Sequence, residues 1–223
     1  CSMVGEITGQ FIIKAYQRGY RWEESQVSSM LNDIYQNGNT PYCLQPIVVR
    51  KLDKDTYELI DGQQRLTTLL ILLKYIQREY KPRVTIQYTL SYETREKTAE
   101  FLDDINAEVA EDNIDFFYIY KAYKTIDEWF KTLSSKNNKD IEVADDMFGY
   151  LNKNVKVIWY EVSEDVDPIA LFARLNIGKI ALTNAELVKA MFLMNAGRTS
   201  LNHQKQIEMA FQWDEIEHSL HEN

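Results

Sequence analysis

The hydrophobic positions in the N-terminal part of the chain alternate between helix-like and strand-like spacing. Apolar residues at helical spacing predict a helix over residues 24–36, with Gly38 as its C′ stop. β-Rich segments predict strands at residues 10–13, 46–51 and 56–60. A short charged turn separates the last two strands, which favours an antiparallel hairpin.

A compact polar motif and a long apolar segment follow the hairpin. The motif is Asp61-Gly62-Gln63-Gln64-Arg65, and it runs directly into residues 66–76, which are apolar on nearly every side. A helix that is apolar all round is a buried helix. The order predicted here is therefore strand, tight glycine turn and buried central helix.

The rest of the chain has mainly helical patterns and one strand. The acidic middle favours helices, with a flexible polar connector expected at residues 134–139. Residues 155–162 alternate in the manner of a strand. Asp167 and Pro168 form an N-cap and N1 pair for one helix. A capping box at residues 183–186 precedes another helix over residues 185–194.

Strands cluster early and helices dominate later, which predicts the α+β class. We expect two parts, a core at residues 1–92 and a mainly helical extension with one returning strand at residues 93–223.

Composition and length indicate a folded protein. Of the 223 residues, 45% are hydrophobic, which argues against wholesale disorder. No segment approaches the roughly 20 uncharged apolar residues of a membrane span. The most apolar run, residues 66–75, is too short and includes Lys74. The N-terminus has no signal pattern, so we expect a cytoplasmic protein without membrane association.

Histidine and cysteine usage excludes several kinds of chemistry. Cys1 and Cys43 make neither a disulfide framework nor a metal quartet. The histidines are His203, His218 and His221, so chemistry in the first 200 residues proceeds without imidazole. This excludes Ser-His-Asp and Cys-His nucleophiles and histidine-ligated zinc in that region.

The net charge of −9 is unevenly distributed. Residues 1–92 hold 11 Lys and Arg against 9 Asp and Glu, whereas residues 93–167 hold 9 against 19. An acidic middle repels phosphate backbones, so DNA binding over the whole surface is not expected. A local anion site is expected in the N-terminal part.

The motif after the hairpin has the parts of a phosphate site. Gly62 permits a sharp turn, the following helix offers unpaired amides at its positive end, and Arg65 matches phosphate oxygens. Gln63 and Gln64 can donate hydrogen bonds or orient a water, and Thr67 and Thr68 add hydroxyls. Asp61 could hold a divalent cation through water or fix Arg65. The alternative is a plain turn and helix cap in which Arg65 pairs with Asp61.

Two other segments are weaker candidates. Residues 16–22 interleave arginines with aromatics and could stack on a base and clamp phosphate. Alternatively, their aromatics cover the core and Arg18 pairs with Glu23. Residues 176–179 form a third candidate, for which a helix-to-helix turn is the simpler interpretation. Neither a Walker A sequence nor Gly-x-Gly-x-x-Gly occurs in the chain.

Three motifs occur in order along the chain. They are Ala15-Tyr16-Gln17-Arg18-Gly19-Tyr20-Arg21-Trp22, Ile60-Asp61-Gly62-Gln63-Gln64-Arg65-Leu66-Thr67-Thr68 and Phe172-Ala173-Arg174-Leu175-Asn176-Ile177-Gly178. They resemble the motifs of the N-terminal domain family of GmrSD-type restriction enzymes. The resemblance implies a fold related to ParB and sulfiredoxin, with a small sheet and a buried central helix.

The resemblance also implies a function. It implies a nucleotide-handling domain of bacterial anti-phage systems, in which binding and hydrolysis of GTP or ATP, with Mg²⁺, license DNA cleavage. DNA would be contacted through the full-length protein, and an HNH-type nuclease domain would act in cis or in trans. Asp61, Gln64 and Arg65 would be catalytic, with Asp61 also holding the metal. The nucleotide-binding residues would be Gly62, Gln63, Gln17 and Arg18, with Thr67 adding a hydroxyl.

The chain departs from the family pattern in two places. Lys14 stands where the family usually has proline, and no HNH segment precedes Asn223, so a truncated chain or a reduced member is expected. Sulfinic-acid reduction, the chemistry of sulfiredoxin, is rejected because residues 16–22 lack a cysteine.

Three functional hypotheses stay open. The first is a metal-assisted NTPase, and the second is a nucleotide- or DNA-binding module that does not hydrolyse its ligand. The third is a nuclease at residues 61–65, which the acidic middle and the missing histidines disfavour.

Overall fold

A computed structural model describes residues 1–81, 83–137, 140–176, 205, 207–213 and 216. Its helices within this part are α1 (Glu24–Asn37), α2 (Gln63–Glu79), α3 (Glu96–Asp103), α4 (Ile114–Asn137), α5 (Asp140–Lys153) and α6 (Pro168–Asn176), with a short 3-10 helix at Val4–Glu6. Its strands are β1 (Ser2–Met3), β2 (Gly9–Ile13), β3 (Tyr42–Asp53), β4 (Thr56–Asp61), β5 (Tyr88–Tyr92) and β6 (Val155–Val162). The predicted α+β class is confirmed.

The described strands form one mixed sheet in the order β1-β6-β3-β4-β2-β5. β3 and β4 make the predicted antiparallel hairpin. β2 lies between β4 and β5 and is parallel to both. The returning strand β6 pairs in parallel with β3 and antiparallel with β1. β2, β4 and β5 therefore end at the same edge of the sheet.

Alternating residues of β3 and β4 face two different hydrophobic clusters. Val49 and Leu59 belong to the main core, which includes the buried faces of α1, α2, α4 and α5. Val48 and Ile60 point to the opposite face and join a smaller cluster with residues of α6. This period of two is the expected consequence of strand geometry.

Helix α2 is the buried central helix that the apolar segment predicts. Its residues are buried almost continuously from Leu66 to Leu73. Gly62 precedes it with φ 96° and ψ 7°, a left-handed conformation that allows a sharp change of direction between β4 and α2.

The end of α1 corrects one expectation. Gly38 has φ −60° and ψ −24°, which is right-handed, so it does not form the left-handed C′ stop. A glycine fits there for a different reason, because a Cβ would overlap the ring of Tyr150.

The connector expected at residues 134–139 is also wrong where the structure describes it. Helix α4 continues through the buried Ser134 to Asn137. The burial of Ser134 outweighs the low helix propensity of this polar segment.

Helix α6 begins as predicted. The Asp167 Oδ1 atom accepts hydrogen bonds from the amides of Ile169 (2.9 Å) and Ala170 (3.2 Å), and Pro168 is the first helical residue. The structure describes this helix as far as Asn176.

Some predictions cannot be compared with the structure. The helix at residues 185–194 with its capping box, residues 177–179 and the three histidines lie outside the described residues. The division at residue 92 and the likeness to ParB and sulfiredoxin stay predictions. Within the described part, no helix is both long and apolar enough to cross a membrane.

Candidate functional site

The topology of the sheet brings the predicted site residues to one edge. The segment after β2 contains Gln17 and Arg18, and β4 ends at Asp61, directly before α2. β3 is antiparallel to β4, so its N-terminal part, with Gln45 and Pro46, reaches the same edge. Ligand sites at the carboxyl ends of strands are common in mixed and parallel sheets.

A cleft of about 360 Å³ opens at this edge. It brings together the predicted residues Gln17, Arg18, Asp61, Gly62, Gln63, Gln64 and Arg65. Its other described lining residues are Trp22, Gln26, Gln45, Ile60, Phe172 and Asn176. Sequence reasoning did not select Gln26, Gln45, Phe172 or Asn176 individually, although the last two lie in the third motif.

The N-terminus of α2 forms the floor of the cleft. Gly62 is its N-cap, and no side chain caps the helix there. The first intrahelical hydrogen bond runs from the Leu66 amide to the Gly62 carbonyl (2.9 Å). The preceding amides have no partner within the helix and carry its positive dipole end. The plain-cap alternative therefore lacks its capping side chain.

Arg65 is held at the cleft by backbone and side-chain oxygens. Its Nη1 atom donates to Gln45 Oε1 (3.0 Å) and its Nη2 atom to the Pro46 carbonyl. Asp61 Oδ2 lies 3.8 Å from Nη2, so the expected carboxylate pairing exists but is loose. Burial lowers the pKa of Arg65, and the Asp61 carboxylate opposes that shift.

Two of the three buried side-chain polar atoms without a hydrogen-bond partner in the described part belong to this cleft. They are the Nε donor of Arg65 and the Oε1 acceptor of Gln17, and the third is the hydroxyl of Ser134. The other end of the Gln17 amide donates to the Ile60 carbonyl (2.9 Å). Unsatisfied buried polar atoms are costly, so their concentration in one cleft calls for an explanation.

The two glutamines of the motif bind the backbone of the loop at residues 14–22, the cleft loop. Gln63 Nε2 donates to the Arg18 carbonyl (2.7 Å). Gln64 Nε2 donates to the Gly19 carbonyl (3.1 Å), and its Oε1 accepts from the Arg21 amide (2.8 Å). Both side chains line the cleft while they fix the loop.

The aromatics of the cleft loop have different positions. Tyr20 is completely buried, and its hydroxyl lies 2.8 Å from Thr68 Oγ1, so the core interpretation holds for it. Trp22 packs partly against the core and also lines the cleft. Glu23, which the alternative interpretation pairs with Arg18, accepts a hydrogen bond from Lys121.

Thr67 is separated from the cleft. Its side chain is fully buried on α2, and its Oγ1 atom lies 3.5 Å from the Tyr92 hydroxyl. It is not among the residues that line the cleft. Its hydroxyl therefore faces the buried Tyr92 hydroxyl and not the cleft.

The cleft suits a magnesium ion that is bound mainly through a ligand. No group of three or more His, Cys, Asp or Glu residues that could hold a metal occurs among the described residues. Asp61 is the carboxylate among the described lining residues. Mg²⁺ is usually held by one or two carboxylates together with substrate phosphates, so Asp61 fits as a protein ligand for it.

The cleft loop is also anchored from outside the cleft. Glu93 accepts hydrogen bonds from Lys14 Nζ (2.8 Å) and from the Ala15 amide (2.9 Å). Arg95 Nη1 donates to the Gln17 carbonyl (3.4 Å). Glu93 and Arg95 follow β5, so this anchor comes from the end of the third of the parallel strands β2, β4 and β5. No local motif marks them in the sequence.

The fold and the cleft together define an α+β domain with a candidate anion-binding site at the start of a buried helix. A family model described as GmrSD restriction endonuclease, N-terminal domain, matches residues 2–193. The chain belongs to this family, which confirms the family resemblance predicted from the sequence. No curated protein matches the chain. Membership implies a role in phage restriction, with DNA and a nuclease domain as its context.

Proposed function

We propose that the cleft binds a nucleoside triphosphate, GTP or ATP, and hydrolyses it as the regulatory step of a restriction protein. The supporting observation is the pair of unsatisfied buried atoms, one donor on Arg65 and one acceptor on Gln17. Once ligand entry uncovers these atoms, a phosphate oxygen can accept from Arg65 Nε, and a ribose or base donor can pair with Gln17 Oε1. A nucleotide carries both kinds of group.

The charges of the cleft fit a polyphosphate. Arg18 and Arg65 line it together with the amides at the start of α2, against the single carboxylate of Asp61 among the described lining residues. Guanidinium groups and helix amides are strong phosphate donors. Trp22 and Phe172 add aromatic surface for the nucleoside part.

The catalytic roles follow from these positions. Arg65 and the α2 amides stabilise charge on the phosphates, and Asp61 holds the metal or orients water. A bound Mg²⁺ would neutralise phosphate charge during transfer. Gly62, Gln63, Gln17 and Arg18 shape the binding surface.

Replacement of Arg65 tests the proposal. Titration with methylanthraniloyl-GTP and methylanthraniloyl-ATP in Mg²⁺ should show binding that weakens about tenfold or more in R65A, since charge-assisted hydrogen bonds contribute about 1.5–3 kcal/mol. Phosphate release should fall in parallel. The control is R78A, which removes a half-exposed arginine from the other end of α2.

The control variant should bind nucleotide within about twofold of the wild type, because Arg78 is remote from the cleft-lining residues. Thermal melts of both variants would show whether loss of the Gln45 and Pro46 contacts unfolds the protein. Equal nucleotide affinity and phosphate release in R65A and the wild type would refute the assignment.

The arrangement of Gln64 favours a second candidate, nucleotide binding without turnover. Both ends of its amide hold the cleft loop, so the residue expected to orient water already has a structural task. In that case the wild type binds labelled nucleotide but releases no phosphate. The cleft would then act as a switch that reports nucleotide to the rest of the restriction protein.

A further inference from the structure

Asp115 is a buried carboxylate at the first turn of α4, and only 5% of the residue is exposed. Its Oδ1 atom accepts a hydrogen bond from Arg21 Nη1, and its Oδ2 atom lies 2.9 Å from Arg95 Nε. Each oxygen therefore has its own arginine. Asn113 Oδ1 accepts from the Asp115 amide (2.9 Å) and helps to fix the start of the helix.

The two arginines join Asp115 to the cleft loop at several backbone atoms. Arg21 belongs to the loop, and its Nη1 atom also donates to the Tyr20 carbonyl (2.7 Å). Arg95 donates to the Gln17 carbonyl (3.4 Å). A Cβ at Gly19 would overlap Asp115 Oδ1, so the loop backbone packs directly against the carboxylate.

The loop is held from two sides. On the cleft side, Gln63 and Gln64 bind its backbone at residues 18, 19 and 21. From the first turn of α4, Asp115 acts through Arg21 and Arg95. The segment between β2 and α1 has no regular secondary structure of its own, so these contacts help to fix the backbone around Gln17 and Arg18.

We propose that Asp115 is a positioning residue of the nucleotide site, which it serves by holding the cleft loop against the N-terminus of α2. The inference rests on the proposed function for its ligand. Asp115 does not line the cleft, so it acts through the loop. Small displacements of binding groups weaken ligand recognition strongly, and breaking one side of a buried ion pair leaves uncompensated charge.

The test compares D115N with D127N. Asp127 serves as the control because it is a half-buried carboxylate on the same helix, paired with Lys131 (2.8 Å), Lys124 (3.6 Å) and the Tyr75 hydroxyl (3.1 Å). Hydrogen exchange of the peptide covering residues 16–22 should become about tenfold faster or more in D115N and stay unchanged in D127N. Affinity for methylanthraniloyl-GTP or -ATP should fall about tenfold in D115N alone.

A purely structural role of Asp115 would lower the melting temperature of D115N and speed exchange in many elements together, rather than in residues 16–22 first. Unchanged exchange of residues 16–22 in D115N, or equal loop opening in D127N, would overturn the inference. The G19A variant disturbs the same contact from the loop side and gives the same readouts if D115N does not fold. Failure of the wild type to bind nucleotide would instead refute the proposed function, while the exchange data still decide whether Asp115 anchors the loop.

Discussion

Gly62 and Arg65 show how single residues set the geometry of the cleft. The φ of 96° at Gly62 is one that an L residue adopts only at a cost of about 1–2 kcal/mol. A Cβ there would lie 3.1 Å from Ile47 Cγ1 and 3.3 Å from the Pro46 carbonyl oxygen. The same carbonyl accepts the hydrogen bond from Arg65, so any adjustment at position 62 also moves the support of the guanidinium.

The G62A variant is therefore expected to lose about 1–2 kcal/mol of the free energy of unfolding and to bind labelled nucleotide more weakly. Urea unfolding measures the first effect. The control is G149A in α5, where no atom lies within 4 Å of the added Cβ. That variant should gain about 0.5–1 kcal/mol, since alanine favours a helix over glycine. Equal stability of G62A and the wild type would contradict the expectation.

At the scale of elements, α6 connects the smaller hydrophobic cluster to the cleft. Phe172 packs edge-on against Tyr16, with ring centroids 5.3 Å apart, and also lines the cleft. Asn176, at the last turn, lines it too. Phe172 and Asn176 form the α6 wall of the cleft. Its position depends on a short helix whose first turn is fixed by Asp167.

Removal of that cap in D167A is expected to destabilise the protein by about 1 kcal/mol, because two helix amides lose their acceptor. Nucleotide binding should weaken by a few-fold as Phe172 becomes less fixed. The D165A variant, two residues earlier and outside the helix, should leave both quantities near the wild-type values. Calorimetry and titration of the pair would show the difference, and identical behaviour of the two variants would contradict it.

Across the whole molecule, tyrosine hydroxyls are buried in both hydrophobic clusters. Burial raises the pKa of each of them above its usual value of about 10. The largely buried tyrosines whose pKa is raised are Tyr16, Tyr20, Tyr75, Tyr88 and Tyr92. The unfolded chain therefore releases these protons at a lower pH than the folded protein does.

These tyrosines are therefore expected to contribute fully to the free energy of unfolding below about pH 10. Above that pH, the free energy of unfolding should fall as the unfolded chain loses their protons. Each tyrosine contributes a slope of up to about 1.4 kcal/mol per pH unit. Urea unfolding between pH 8 and pH 11.5 measures the profile. The Y88F variant, which removes one fully buried hydroxyl, should show a shallower fall. A flat wild-type profile would contradict the argument.

The local pattern of apolar residues predicts most helices and strands, but it does not predict which elements pack or pair with one another. The spacing of apolar residues predicts α1, α2, the hairpin and β6 within a few residues, because period and burial are linked. The insertion of β6 between β1 and β3 is a non-local pairing that no local pattern specifies. The error at Gly38 has the same origin, since Tyr150, the residue that occupies the space there, lies far away in sequence.

The candidate site divides in the same way. The Asp61–Arg65 motif could be selected from the sequence because the glycine, the amides and the arginine are neighbours. Asp115 could not, because it stands in a run of acidic residues and its partner Arg21 lies 94 residues earlier. Thr67 was selected for its hydroxyl, but helical geometry directs it into the core.

The late position of α6 in the chain has a consequence for synthesis on the ribosome. The arginine and glutamine side of the cleft is translated before β6, whereas Phe172 and Asn176 are translated after it. A nascent chain that has reached α5 therefore lacks Phe172 and the rest of the α6 wall of the cleft. The aromatic side of the cleft is therefore completed only once α6, the last described helix that lines it, has been translated.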